Sequence, residues 1–168
     1  MTTEARSVQA RAEQQTRWLD HKEQVAWRSF LLGVTTLFDK LDRELRDHHD
    51  LSMPEYEIMV RLSEAPQHSM RMAELASSVS HSRSRTTHTI SRMERAGIVG
   101  RSACSEDGRG VMAVLTPVGY QRLQAAAHTH VRGVRRHLMD LVHPDDFQAL
   151  GRVFDAVAAA DTQPCRAS

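Results

Sequence analysis

MAELASSVSHSRSRTTHTISRMERAGIV, residues 72–99, is the stretch on which the reading of this chain turns. Met72, Leu75, Ala76 and Val79 recur at helical spacing, so 72–79 reads as a short helix with one apolar side. Ser80-His81-Ser82 interrupts the pattern, and a second helix runs from about Arg83 to Ala96. Gly97 closes it, because glycine takes the left-handed backbone of a helix C-terminus without a Cβ penalty. On a wheel turning about 100° per residue from Ile90, Thr86, Thr87, Met93 and Gly97 face the core. Arg85, His88, Arg92 and Arg95 lie opposite, with Ser84 beside them. An arginine fork matches guanine O6 and N7, and histidine or serine reaches base edges or phosphates. A solvated basic face is the plainer alternative. The next segment of the chain separates the two.

Ile98 to Ala103 and Val111 to Leu115 are strand candidates, joined by Ser105-Glu106-Asp107-Gly108-Arg109-Gly110. Asp107-Gly108 is the sharpest hairpin signal in the chain. Two helices and then a hairpin make a helix-turn-helix with a wing. Upstream, Gln24 to His48 carries Phe30, Val34, Leu37, Leu41 and Leu45 on one stripe of a long helix. Ser52-Met53-Pro54-Glu55 opens the next, with Ser52 or Met53 near the cap and Pro54 in the first turn. Tyr56, Met59, Val60 and Leu62 supply its buried side, and Ala65-Pro66 stops it. Downstream, Thr116-Pro117 caps a helix bearing Tyr120, Leu123, Ala127, Val131, Val134, Leu138 and Leu141, which is close to a heptad seam. Thr116 to Val142 would run about 40 Å as a helix and needs a partner along its length. His143-Pro144-Asp145-Asp146 starts a last helix with Phe147, Leu150, Val153, Phe154 and Val157 as its stripe.

The expected fold is therefore mainly α with a small β-hairpin. It is a winged helix-turn-helix with a helical dimerisation region made of the first, fifth and sixth helices. Residues 1–23 form a flexible tail or short extra helix, 24–50 the first dimerisation helix and 51–115 the DNA-binding lobe. Residues 116–161 are the C-terminal dimerisation helices and 162–168 a tail.

Composition narrows the function. Net charge is only +1, yet six arginines fall between Arg71 and Arg101 against Glu74 and Glu94. The basic residues are almost all arginine, with Lys22 and Lys40 the exceptions, although high genomic G+C content has the same effect. No run of about 18 apolar residues exists, so no membrane is involved, and the polar N-terminus lacks a secretory signal. Cys104 and Cys165 fit no zinc spacing, and a reducing cytoplasm is expected. No phosphate-binding Gly-rich loop, nucleophile elbow or metal-ligand helix motif occurs, which argues against an enzyme.

Met72-Ala73-Glu74-Leu75-Ala76, Ser82 to Val99, Asp107-Gly108-Arg109 and Leu115-Thr116-Pro117-Val118-Gly119 resemble the MarR family of multiple-antibiotic-resistance-type regulators. The order of elements agrees from roughly Gln24 to Val157. The resemblance implies an obligate homodimer, with the first, fifth and sixth helices intertwined, on a pseudo-palindromic double-stranded DNA operator. It implies that Ser82, Ser84, Arg85, His88 and Thr89 enter the major groove. Arg92 and Arg95, on later turns that climb toward the backbone, are expected on phosphates. Arg109 at the wing tip would probe the minor groove, with Asp107 paired to Arg101. The resemblance also implies a repressor released by a small anionic aromatic effector in a cleft that Trp18, Trp27, Arg28, Phe30 and Tyr56 could line. Core or dimer packing is the plainer reading of those aromatics.

The peroxide-sensing branch of the family depends on a cysteine near the first long helix, and none stands there. Asp47, His48, His49 and Asp50 cluster at one helix end, but His128 and His130, two apart, point in different directions. No metal and no cofactor are expected. Two alternatives stay open: a metal-responsive regulator of the same fold, and an architectural or protein-interaction module without an effector.

Overall fold

Local capping chemistry sets most element boundaries. Ser52 is the N-cap of the second helix, its side chain accepting the Glu55 N–H at 3.4 Å while the Glu55 carboxylate accepts the Ser52 N–H at 2.9 Å. This reciprocal pair satisfies two otherwise orphaned donors at once. At the end of the helix over Arg83–Arg95, Gly97 adopts a φ of 69° and the Ile98 N–H bonds to Met93 O at 2.9 Å. The chain then reverses into a strand. Thr116 caps the following long helix by accepting the Gly119 N–H at 3.0 Å.

The computed structural model describes residues 16–79, 83–103 and 110–161. Ser82, Asp107 and Arg109, together with Cys104 and Cys165, lie outside the described residues. The elements are α1 (His21–His49), α2 (Met53–Glu64), β1 (Ser69–Arg71), α3 (Met72–Ser78) and α4 (Arg83–Arg95). They continue as β2 (Val99–Ala103), β3 (Val111–Leu115), α5 (Pro117–His137) and α6 (Pro144–Asp161). Short 3-10 turns cover Pro66–His68 and Met139–Leu141. The chain divides into two units, Met1–Thr36 and Leu37–Ser168. In the first, Trp27 stacks on Phe30 with ring centroids 5.6 Å apart.

The second unit holds the core. Leu45 of α1, Ile58, Met59 and Leu62 of α2, Leu75 of α3, Ile90 and Met93 of α4 and Val99 of β2 are fully buried in one cluster. Each such side chain contributes about 1.5–3 kcal/mol relative to exposure. α5 meets α1 through Glu44, whose carboxylate accepts from His137 at 2.8 Å and Arg136 at 3.2 Å. Among the described residues no helix is long and apolar enough to cross a membrane.

Three details differ from expectation. The hairpin is part of a three-stranded antiparallel sheet in the order β1-β3-β2, with Met70 opposite Ala113 and Arg101 opposite Ala113 on the other edge. β1 exists because β3 offers a second unpaired edge next to the start of α3. α5 ends at His137 rather than Val142, so it is about 32 Å long. Leu138 leaves helical geometry (φ −138°, ψ −68°), and the Arg135–Asp140 ion pair at 2.8 Å clasps the turn, taking Leu138 and Leu141 off a continuous seam. Thr87 and Gly97, both expected to face the core with Thr86 and Met93, are exposed.

Candidate nucleic-acid interface

α4 is two-faced. Thr86, Ile90 and Met93 are buried. Ser84, Arg85, His88, Arg92 and Arg95 are exposed and Thr89 is half-buried. Ser84, Arg85, His88, Thr89 and Arg92 line one shallow hollow of about 370 Å³. The hydroxyls of Thr89 and Ser91 donate to Arg85 O and Thr87 O, both at 3.0 Å, so they serve the helix backbone. The outward reach of the face belongs to its arginines and His88. A 13-residue helix is about 20 Å long and 10–12 Å across, which fits a major groove about 12 Å wide.

Not every arginine of the face projects in the same way. Arg92 Nε donates to Glu55 Oε1 at 2.8 Å and its Nη2 to Ser52 Oγ at 3.3 Å. Arg95 Nε lies 3.3 Å from Ser91 O on its own helix. Arg101, on β2, is held by Glu94 at 3.3 Å and by Ser91 Oγ at 2.9 Å, which ties the first strand of the wing to α4. The Glu55 contact is 37 residues distant in sequence and escapes any local reading. Its one visible trace is the Ser52-x-x-Glu55 spacing of a capping box.

Of the residues expected around an effector, Trp18, Trp27, Arg28 and Phe30 belong to the first unit and Tyr56 to the second. Trp18 is 81% exposed, Trp27 and Arg28 are exposed, and Phe30 is half-buried against Trp27. Tyr56 is buried in the lobe with its ring 4.6 Å from that of His130, and burial pushes its phenol above the usual range. A different hollow, of about 560 Å³, is lined by Phe38, Asp39, Asp42 and Arg46 of α1, Met53, Pro54 and Glu57 of α2, and Arg85 of α4. Three elements far apart in sequence build it, so no single segment signals it. Its Asp42 accepts from the Met53 N–H at 2.7 Å and from Arg46 at 2.6 Å. Against the upward push of burial, these bonds hold its carboxyl below the usual range.

His49 Nε2 lies 2.8 Å from Thr129 Oγ1, and Arg122 donates to His49 O at 3.1 Å. Among the described residues no group of three or more His, Cys, Asp or Glu side chains could hold a metal ion.

A two-faced helix with a basic outer surface, seated behind a three-stranded sheet and flanked by long helices, defines a winged helix-turn-helix regulator. A sequence model of the MarR family matches residues 51–111. A MarR family transcriptional regulator from Streptomyces coelicolor, solved in complex with DNA, is 38% identical, covering 91% of this chain and 96% of its own with a TM-score of 0.84. AbsC, a MarR family transcriptional regulator from the same organism, is 41% identical over 86% of this chain and 97% of its own, at a TM-score of 0.81. The regulator BldR from Sulfolobus solfataricus, 21% identical over 83% of this chain and 99% of its own, shares the fold at a TM-score of 0.69. No curated protein matches the chain. The chain belongs to the MarR family of transcriptional regulators. It is a regulator rather than an enzyme.

Proposed function

We propose that this regulator binds double-stranded DNA in a sequence-specific manner as a homodimer, on an inverted-repeat operator, in the cytoplasm. The observation that carries the reading is α4, with Ile90 and Met93 wholly buried beneath an exposed row of Ser84, Arg85, His88, Arg92 and Arg95. The N-terminal half of α4, with Ser84, Arg85 and His88, supplies base contacts, and Arg109 probes the minor groove. Dimerisation is supported by exposed apolar side chains on the outer helices, including Leu31 and Phe38 of α1, Val131 of α5 and Val153 and Val157 of α6. Patches of that kind on a small protein mark association surfaces.

The same reading makes it a repressor released by a small molecule. The hollow of about 560 Å³ supports this, because Arg85 lines both it and the outer face of α4. Phe38, Met53 and Pro54 offer a planar ligand an apolar wall, and the basic groups of the lining are Arg85 and Arg46, the latter paired with Asp42, beside the carboxylates of Asp39 and Glu57. Selection of duplexes from a random pool by the purified protein tests the proposal. One enriched inverted repeat, bound with a steep salt dependence and released by an aromatic carboxylate, is the expected result. Enrichment without release leaves a regulator with no such effector. Binding without enrichment identifies an architectural protein, and no binding an interaction module.

A further inference from the structure

Apolar packing fixes how deeply α4 sits, but dispersion and hydrophobic contacts are non-directional and hold its rotation weakly. A directional fastening is present at its C-terminal half. Arg92 reaches back to Glu55 Oε1 at 2.8 Å and to Ser52 Oγ at 3.3 Å. The Glu55 side chain is only 10% exposed and cannot drift, because its other oxygen accepts the Ser52 N–H at 2.9 Å and the Ser52 hydroxyl at 2.7 Å. The next residue, Met53, donates its N–H to Asp42 of α1 at 2.7 Å. A continuous polar chain thus runs from α1 through the first turn of α2 to the helix that reads DNA.

The capping box alone does not require a charge at residue 55, since glutamine completes it equally well. The carboxylate is needed for Arg92. We propose that Glu55 is a positioning residue for DNA reading, acting through Arg92 to set the rotation of α4 in the major groove. This rests on the regulator reading. Arg92 stands seven residues beyond Arg85 on the same face, so turning the helix by about 10° about its axis moves side-chain ends about 5–6 Å from that axis by about 1 Å. That displacement carries a base hydrogen bond of about 2.9 Å out of range. Arg92 on this account is a strut between helices rather than a phosphate ligand.

Two single variants, Glu55→Gln and Arg92→Gln, and their combination decide the matter in the full-length protein. Each is titrated with the duplex the wild type selects and with a random duplex, across a salt series. Each single variant should lose about tenfold in the ratio of selected to random binding. The salt slope should match the wild type, and the double variant should lose about as much as either single. Dimerisation should stay as in wild type, and each variant is titrated well below its own melting transition, because removing one partner of a largely buried pair lowers the thermal midpoint. Arg92 is about half exposed and its loss is tolerated by the fold even where that of Glu55 is not.

Several results overturn the inference. If Glu55 merely competes with phosphate for Arg92, Glu55→Gln tightens both duplexes alike. If Arg92 binds phosphate, Arg92→Gln flattens the salt slope by about two per dimer. Additive losses, or none, also refute it. A wild type that prefers no duplex removes the regulator reading and this inference with it. A wild type with a preference that both variants keep removes this inference alone.

Discussion

Gly119, in the first turn of α5, offers a stringent test of the junction that links α4 to the long helices. A Cβ there would lie 2.2 Å from Ile98 O and 2.8 Å from Leu115 Cδ1. The first neighbour is backbone, so relief requires moving the chain by about 1 Å at the point where α4 gives way to β2. That same carbonyl accepts from Thr116 N at 3.1 Å, and the Thr116 hydroxyl, whose one hydrogen goes to Gly97 O at 2.7 Å, lies 3.0 Å from it. Overpacking costs about 1–3 kcal/mol and a weakened hydrogen bond about 1 kcal/mol. Alanine returns at most about 1 kcal/mol through helix propensity. Gly119→Ala should therefore lose about 1–3 kcal/mol and melt about 3–10 °C lower by circular dichroism. Gly133→Ala provides the control. Its Cβ would meet Glu44 Oε2 at 2.7 Å and Leu41 Cδ2 at 2.8 Å, both side-chain ends rather than backbone, although Leu41 is buried and Glu44 is bonded to His137 and Arg136. It should cost less, about 1 kcal/mol. A Gly119→Ala protein melting within 2 °C or so of wild type would refute the reasoning.

Thr116→Val removes the cap of α5 and the hydroxyl donor to Gly97 O at 2.7 Å. It should lower stability by about 1–2 kcal/mol, read from the urea midpoint at an unchanged slope. Burial holds His49 and His130 below the ordinary imidazole range of 6.5, and at His49 the charges of His48, Arg122 and Arg132 add to it. Both bind protons more readily in the unfolded chain, so their contribution is complete above the unfolded value and lost as pH falls below it. The melting midpoint should therefore fall between pH 7.5 and 5.5, and His130→Leu should lessen the fall; a flat profile in the wild type contradicts this. Val153→Asp combined with Val157→Asp places charge on the exposed stripe of α6 and should give a monomer by light scattering. A persistent dimer would put the interface elsewhere.

The helix α4 was legible because one periodicity, one glycine and one basic face agree over Arg83–Gly97. Ser52, Pro54 and Thr116-Pro117 likewise signal their helix starts through local chemistry. Three residues are too few for a strand period, so β1 left no trace in Ser69–Arg71. The end of α5 misled for the opposite reason. Leu138 and Leu141 keep the apolar spacing, while the backbone leaves helical geometry at Leu138 and passes through a short 3-10 turn toward Pro144. Tyr56 satisfied two readings, a buried face and a ligand cleft, and it lies buried against His130. The engagement of Arg92 by Glu55 and the hollow reaching Arg85 depend on pairs distant in sequence, which no local pattern encodes.

The central claim is that the N-terminal half of α4 reads bases. The most direct measurement is the affinity of Arg85→Ala, beside wild type, for the selected duplex and for duplexes substituted singly at each half-site position. The account predicts half-site centres about one helical turn, roughly 34 Å, apart. It predicts a loss of about 1–3 kcal/mol on truncation, with discrimination relaxed at one position per half-site and kept at the rest. An Arg85→Ala protein with unchanged affinity and unchanged base preference would contradict it and take α4 out of the groove.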